Sequence, residues 1–95
     1  MFDGIDRIMK KIVIVGKGGL AREVKWLIDN INQISKQWDF EGYIDKEMGA
    51  DQVIGDDSYV INAKNELFVT IAIGNPQVRK DIYEKYKKNK YIHFP

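Results

Sequence analysis

Lys11-Ile12-Val13-Ile14-Val15-Gly16-Lys17-Gly18-Gly19-Leu20-Ala21 is the stretch that decides the architecture. Four consecutive β-branched apolar residues follow Lys11, the pattern of a strand buried on both faces, as in a parallel sheet. The run stops at Gly16-Lys17-Gly18-Gly19, and beyond the glycines the period changes. Leu20, Val24, Leu27, Ile28 and Ile31 fall on one helical stripe, with Arg22, Glu23, Lys25 and Asp29 off it. A strand, a glycine turn and an amphipathic helix in direct succession open a βαβ unit. The stripe is expected to face the sheet, and the helix to end around Asn30–Asn32.

Downstream, Trp38-Asp39-Phe40-Glu41-Gly42-Tyr43-Ile44 alternates apolar with polar and reads as a second strand, with Gly42 marking a bulge or a close backbone approach. Between residues 46 and 66, Gln52-Val53-Ile54 is a short apolar segment. Asp56-Asp57-Ser58 offers caps for one helical turn over Tyr59-Val60-Ile61. Leu67-Phe68-Val69-Thr70-Ile71-Ala72-Ile73 is the strongest strand and ends at Gly74-Asn75-Pro76. Val78, Ile82 and Tyr86 mark the next helix, Lys87, Lys88 and Lys90 lie near its end, and Tyr91-Ile92-His93-Phe94 reads as a last short strand. This order predicts an α/β fold: a small Rossmann-like domain with a parallel sheet of about four or five strands and right-handed crossover helices.

Composition narrows the function. The chain has 95 residues, 44% hydrophobic and 31% charged, enough for one core and too few for a cofactor domain joined to a substrate domain. It has no cysteine and one histidine, His93, which excludes disulfides, a thiolate or multi-histidine metal site and a cysteine nucleophile. No plausible nucleophile–base pair surrounds His93. No apolar run approaches the roughly 18–20 residues of a membrane span, and no signal peptide is visible, so a cytoplasmic protein is expected. Residues 39–57 hold seven acidic groups against Lys46 alone. Residues 79–90 hold six basic groups against two acidic ones, with tyrosines interleaved. That basic end reads as the solvated face of a helix, because a nucleic-acid domain would not also carry so acidic a block. Met1–Ile8 shows no clean period and reads as a poorly ordered leader, which leaves residues 9–95 as the domain.

In open parallel sheets, ligands bind beyond the carboxyl ends of the strands, near the switch in strand order. Three loops qualify. Gly16-Lys17-Gly18-Gly19-Leu20-Ala21 satisfies G-x-G-x-x-G/A in its required context, where glycines let backbone N–H groups reach a diphosphate at a helix start. A tight turn without a ligand is the plain alternative. Asp45 ends the second strand, placed to accept from ribose hydroxyls or a base N–H. It lies 27 residues after Gly18, more than the roughly 20 of NAD-binding units. Lys46 beside it suits a phosphate or open solvent equally. In the third loop Gly74 precedes Asn75, which suits both a helix cap and a ligand contact. Pro76 suits the first helical turn, and Arg79 follows within one turn.

Lys10 to Gly19, then Ala21-Arg22-Glu23-Val24 and Trp26-Leu27-Ile28, resemble the opening of bacterial sugar O- and N-acyltransferases. These are the sialic-acid O-acetyltransferase-like proteins and the UDP-4-amino-sugar acetyltransferases of the PglD type. The resemblance continues through Trp38–Asp45, Val53-Ile54-Gly55-Asp56-Asp57 and Ala72–Pro76 with Val78-Arg79, and covers essentially Lys10 to Pro95. It implies a UDP-sugar-binding Rossmann-like domain that precedes a left-handed β-helix, where acetyl-CoA binds, the catalytic histidine sits and trimers form. By the same resemblance Gly16, Gly18 and Gly19 face sugar and diphosphate, Asp45 and Lys46 approach the nucleotide, and Gly74, Asn75 and Pro76 complete the wall. Lys17, where the family often has a small residue, narrows the turn or adds a phosphate contact. The residues quoted include no β-helix repeats. The chain is therefore expected to hold a UDP-sugar, in particular a UDP-amino-sugar, without catalysing acyl transfer alone and without its own cofactor. The β-helix would act in cis or in trans, and the domain by itself would be a monomer. Two other readings stand beside this one: an NAD(P)-binding or nucleotide-sensing module, motivated by G-x-G-x-x-A, and a ligand-free interaction domain.

Overall fold

The computed structural model describes residues 9–95; the leader read at Met1–Ile8 lies outside them. The elements in chain order are β1 (Lys10–Val15), α1 (Gly19–Ile34), β2 (Trp38–Ile44), β3 (Val53–Gly55), α2 (Asp57–Ile61), β4 (Leu67–Ile71), α3 (Pro76–Tyr86) and β5 (Ile92–His93). The five strands form one sheet in the order β3-β2-β1-β4-β5, and every pair is parallel. This is the Rossmann-like α/β arrangement expected from the sequence, with the change of direction between β1 and β4.

β1 lies at the centre because its four β-branched residues fill both faces. Val13 and Val15 join Ile44, Val69, Val60 and Tyr86 in one apolar cluster. Ile12 and Ile14 join Ala21, Ile28 and Tyr43 in another. The first cluster takes α2 and α3, the second takes α1, so α1 covers one face of the sheet and the other two helices cover the opposite one.

Gly42 is a bulge, as the sequence suggested. Ile12 pairs with Phe40 and Val13 with Gly42, so Glu41 is skipped. Gly42 has φ 151°, and a Cβ there would lie 2.6 Å from Ile54 Cγ2 and 2.8 Å from the Gln52 carbonyl. Its missing side chain lets β3 pair beside β2.

Some boundaries differ from the sequence reading. Helix α1 runs to Ile34 rather than stopping at Asn30–Asn32. Asn32 stays helical and uses its side chain to bind the next strand: its Nδ2 donates to the Trp38 carbonyl at 2.8 Å, and its Oδ1 accepts from the Gln37 and Trp38 amides at 3.0 Å. The stripe on α1 is also split. Ala21 and Ile28 are buried and Val24 is half-buried, whereas Leu20, Leu27 and Ile31 are exposed. Alanine, the smallest apolar side chain, allows the helix to approach the sheet closely, and the apolar count alone does not reveal that choice. β4 ends at Ile71, two residues before the apolar run does, and β5 keeps only Ile92 and His93 of the expected Tyr91–Phe94.

Candidate functional site

The carboxyl ends of β1, β2 and β4 lie side by side. The Gly16 amide donates to the Ile44 carbonyl at 2.9 Å, and the Ala72 amide donates to the Val15 carbonyl at 2.9 Å. These two bonds bring the Gly16–Gly19 loop next to Asp45 on one side and Gly74 on the other. Gly16 is required there: its φ is 109°, and a Cβ would stand 2.8 Å from the Ala72 carbonyl oxygen.

Gly18, Gly19 and Gly74 behave differently. None of them has a φ in the left-handed region, and a Cβ at any of the three would meet nothing within 4 Å. Neither backbone geometry nor packing within the chain calls for glycine at these positions. Gly18 is the N-cap of α1 and has no side chain to cap it, which leaves the first-turn N–H groups to solvent or to a ligand. By contrast, α3 is closed by its own sequence. Asn75 Oδ1 accepts from the Gln77 and Val78 amides at 2.9 and 3.1 Å, and Pro76 occupies the first turn. Of the two roles open to Asn75, its oxygen has taken the cap and its amide nitrogen remains.

Lys17 is held by Glu47. Its Nζ lies 2.7 Å from Glu47 Oε1, and the ion pair straps the glycine loop to the loop after β2. The hydrogen bond and charge of Glu47 raise the Lys17 pKa, and Lys17 lowers that of Glu47 in the same way. Asp45 uses one carboxylate oxygen to accept from the Glu47 amide at 3.0 Å, which shapes this loop and leaves the other oxygen available. Lys46 is exposed.

A cleft of about 590 Å³ opens beside the crevice, on the face that carries α2 and α3. Val15, Ile44 and Ile73 form its floor, Ile61, Val78 and Ile82 its walls, and Asp45, Lys46, Asp56 and Asp57 its rim. Its size suits a nucleoside-sized ligand. Asp45 and Lys46 are the sequence-selected residues that line it; Gly16–Gly19 and Gly74–Asn75 are not among its lining residues. Pro76 and Arg79 are placed elsewhere, along a separate groove with Lys80, Tyr83 and Phe94. The Arg79 guanidinium folds back to donate to the Ile73 carbonyl at 3.0 Å, so it braces the β4–α3 turn.

The acidic rim is held from below. Asp56 caps α2 by accepting from the Ser58 amide at 3.0 Å and the Ser58 hydroxyl at 2.6 Å, and these bonds lower its pKa. Asp57 accepts from Tyr86 Oη at 2.5 Å and from Lys85 Nζ at 2.7 Å. Burial pushes the Asp57 pKa up, but those two donors outweigh it and the net displacement is downward. The sequence reading treated Asp56-Asp57-Ser58 as a cap alone. Their place on the cleft rim follows from the return of the chain between β3 and β4, and no local signal carries it. Among the described residues, no group of three or more acidic or histidine side chains is arranged to hold a metal ion. No helix of the described residues is long and apolar enough to cross a membrane.

A five-stranded parallel sheet with an uncapped, glycine-lined helix start at its switch point defines a Rossmann-like domain. A family model described as the PglD N-terminal domain matches residues 11–86, and the chain belongs to that family, the N-terminal domains of PglD-like sugar acetyltransferases. No curated protein and no solved structure matches the chain.

Proposed function

We propose that this domain holds the UDP-sugar substrate, a UDP-amino-sugar, of an acetyl-CoA-dependent sugar acyltransferase. One observation carries the reading: Gly18, Gly19 and Gly74 have no structural need to be glycine, and they surround the uncapped start of α1 at the switch point. A diphosphate approaching the first-turn amides needs that open space, and the helix dipole favours its charge. The cleft beyond Asp45 then offers an apolar floor for a flat base and carboxylates for its N–H or for ribose hydroxyls. Acetyl-CoA and the catalytic base belong, on this reading, to a β-helix domain acting in cis or in trans, and this domain alone transfers no acetyl group. On this reading the domain works in the cytoplasm.

Titration of isotope-labelled protein with UDP and UDP-amino-sugars, followed by amide NMR, tests this. Shifts are expected at Gly16–Gly19, Asp45 and Gly74–Asn75, and none at millimolar UDP would refute the proposal. The dinucleotide reading keeps one favourable observation. Asp45 directly follows β2, and its distance from Gly18 reflects the 16-residue length of α1 rather than a displaced acid. Calorimetry separates the two: tighter binding of NAD than of UDP would replace the UDP-sugar by a dinucleotide.

A further inference from the structure

Helix α1 has no acidic residue in its first turn and no side-chain cap, so its start and the neighbouring Lys17 form a positive end without a counter-charge of their own. The counter-charge comes from the loop after β2, where Glu47 Oε1 meets Lys17 Nζ at 2.7 Å. Asp45 adds a weaker pull on the same ammonium. Among the described residues, this is the one ion pair that ties residues 46–51 to anything outside their loop. Within the loop the bonds are local. The Glu47 amide donates to Asp45 Oδ2 at 3.0 Å, the Met48 amide to the Lys46 carbonyl at 3.2 Å, and the Val53 amide to the Ala50 carbonyl at 3.1 Å. Lys46, Glu47, Met48 and Gly49 are all exposed, so little packing holds them.

We infer, on the UDP-sugar reading above, that Glu47 is an internal competitor for the diphosphate: it holds Lys17 until the ligand phosphates take that ammonium over. The Glu47 carboxylate meets Lys17 as a phosphate oxygen would. A diphosphate carries more charge than a carboxylate and is met by the first-turn amides as well, so it wins the exchange. Uridine, which has no phosphate, offers Lys17 nothing and leaves the pair in place. Once displaced, Glu47 would repel the bound phosphates, and its exposed loop lets it turn into water. Glu47 thus weakens the binding of every diphosphate, and Lys17 makes the site depend on phosphate.

Calorimetry with UDP, pyrophosphate and uridine tests this, at about 20 mM salt so that screening does not mask the charges. Glu47→Gln should bind UDP and pyrophosphate about three- to fivefold tighter, the range open to a surface ion pair, and uridine no differently. Lys17→Met should bind UDP at least about tenfold more weakly, through loss of a charged phosphate contact. Asp51→Asn removes the same charge from the same exposed loop without touching Lys17, and should change UDP affinity less than about twofold. Circular dichroism of the three variants should match the parent. In carbon NMR, UDP should move the Glu47 side-chain carboxyl signal of the parent toward its position in Lys17→Met. If UDP binds but Glu47→Gln gains nothing, or Asp51→Asn gains as much, the inference is overturned while the UDP-sugar reading stands. If pyrophosphate shows the expected pattern and UDP binds to no variant, the exchange stands and the UDP-sugar reading falls. Failure of both ligands to bind at millimolar concentration overturns both.

Discussion

Replacing Tyr86 by Phe removes one oxygen from the largest fully buried side chain of the domain and leaves its packing volume almost unchanged. The lost bond joins Tyr86 Oη to Asp57 Oδ1 at 2.5 Å and ties α3 to the start of α2, so it braces the acidic side of the cleft. A hydrogen bond to a charged group is worth about 1.5–3 kcal/mol. The Asp57 side chain is 45% exposed and keeps Lys85 on its other oxygen, so water replaces part of the loss and about 1–2 kcal/mol remains. For a domain of this size, that lowers Tm by about 5–15 °C. Thermal unfolding followed by circular dichroism measures it, and pH separates the bond from mere loss of volume. The folded-state pKa of Asp57 is lowered, so its contribution is present above the unfolded carboxylate range near pH ~4 and is lost as pH falls through the folded value. Tyr86 is displaced the other way, upward, by burial and then by the Asp57 bond. Its contribution is full below the unfolded phenol range near pH ~10 and is lost as pH rises above it. The variant should therefore approach the parent in acid and show a flatter alkaline limb. A Tm within about 2 °C of the parent at pH 7, or an equal deficit at pH ~2.5, would refute the role given to this bond.

Gly16→Ala should cost about 2–4 kcal/mol in denaturant unfolding, because it combines a positive φ with a Cβ against the Ala72 carbonyl. Gly18→Ala should leave stability within about 0.5 kcal/mol, since nothing within 4 Å meets its Cβ, yet weaken UDP binding at least about tenfold in calorimetry. Unchanged binding would remove the glycine loop from the site. Asn75→Ala deletes both bonds that cap α3 and should cost about 1 kcal/mol, while Asn75→Asp retains most of the cap. Asp45→Ala should weaken UDP more than it weakens inorganic pyrophosphate, which lacks the base and ribose assigned to that carboxylate; equal losses would argue against the assignment.

Much of the fold was legible because it rests on local rules. The β-branched run of β1 marks a strand buried on both faces, and the glycines after it mark a strand-to-helix turn. Gly42 announced its bulge because the chain offers few other reasons for a glycine inside a strand. What escaped was set by neighbours distant in sequence. Asn32 looked like a helix end until its bonds to Gln37 and Trp38 showed it working from inside the helix. Arg79 looked available to a ligand, but the Ile73 carbonyl engages it. Asp57 looked like a cap, and its bonds to Lys85 and Tyr86, across almost thirty residues, give it a part in the cleft wall.

By itself the sequence determined the element order, the parallel α/β class, the glycine loop at the start of α1 and the family, because period, branching and turn chemistry act within a few residues. Only the tertiary structure decided which apolar side of α1 is buried. Leu20, Leu27 and Ile31 are as apolar as Ile28, but close packing admits the side that carries Ala21 and leaves the rest in water. It also decided that Gly16 is glycine for the chain, while Gly18, Gly19 and Gly74 leave open space. That distinction lies in where a missing Cβ would point, and the letters cannot carry it.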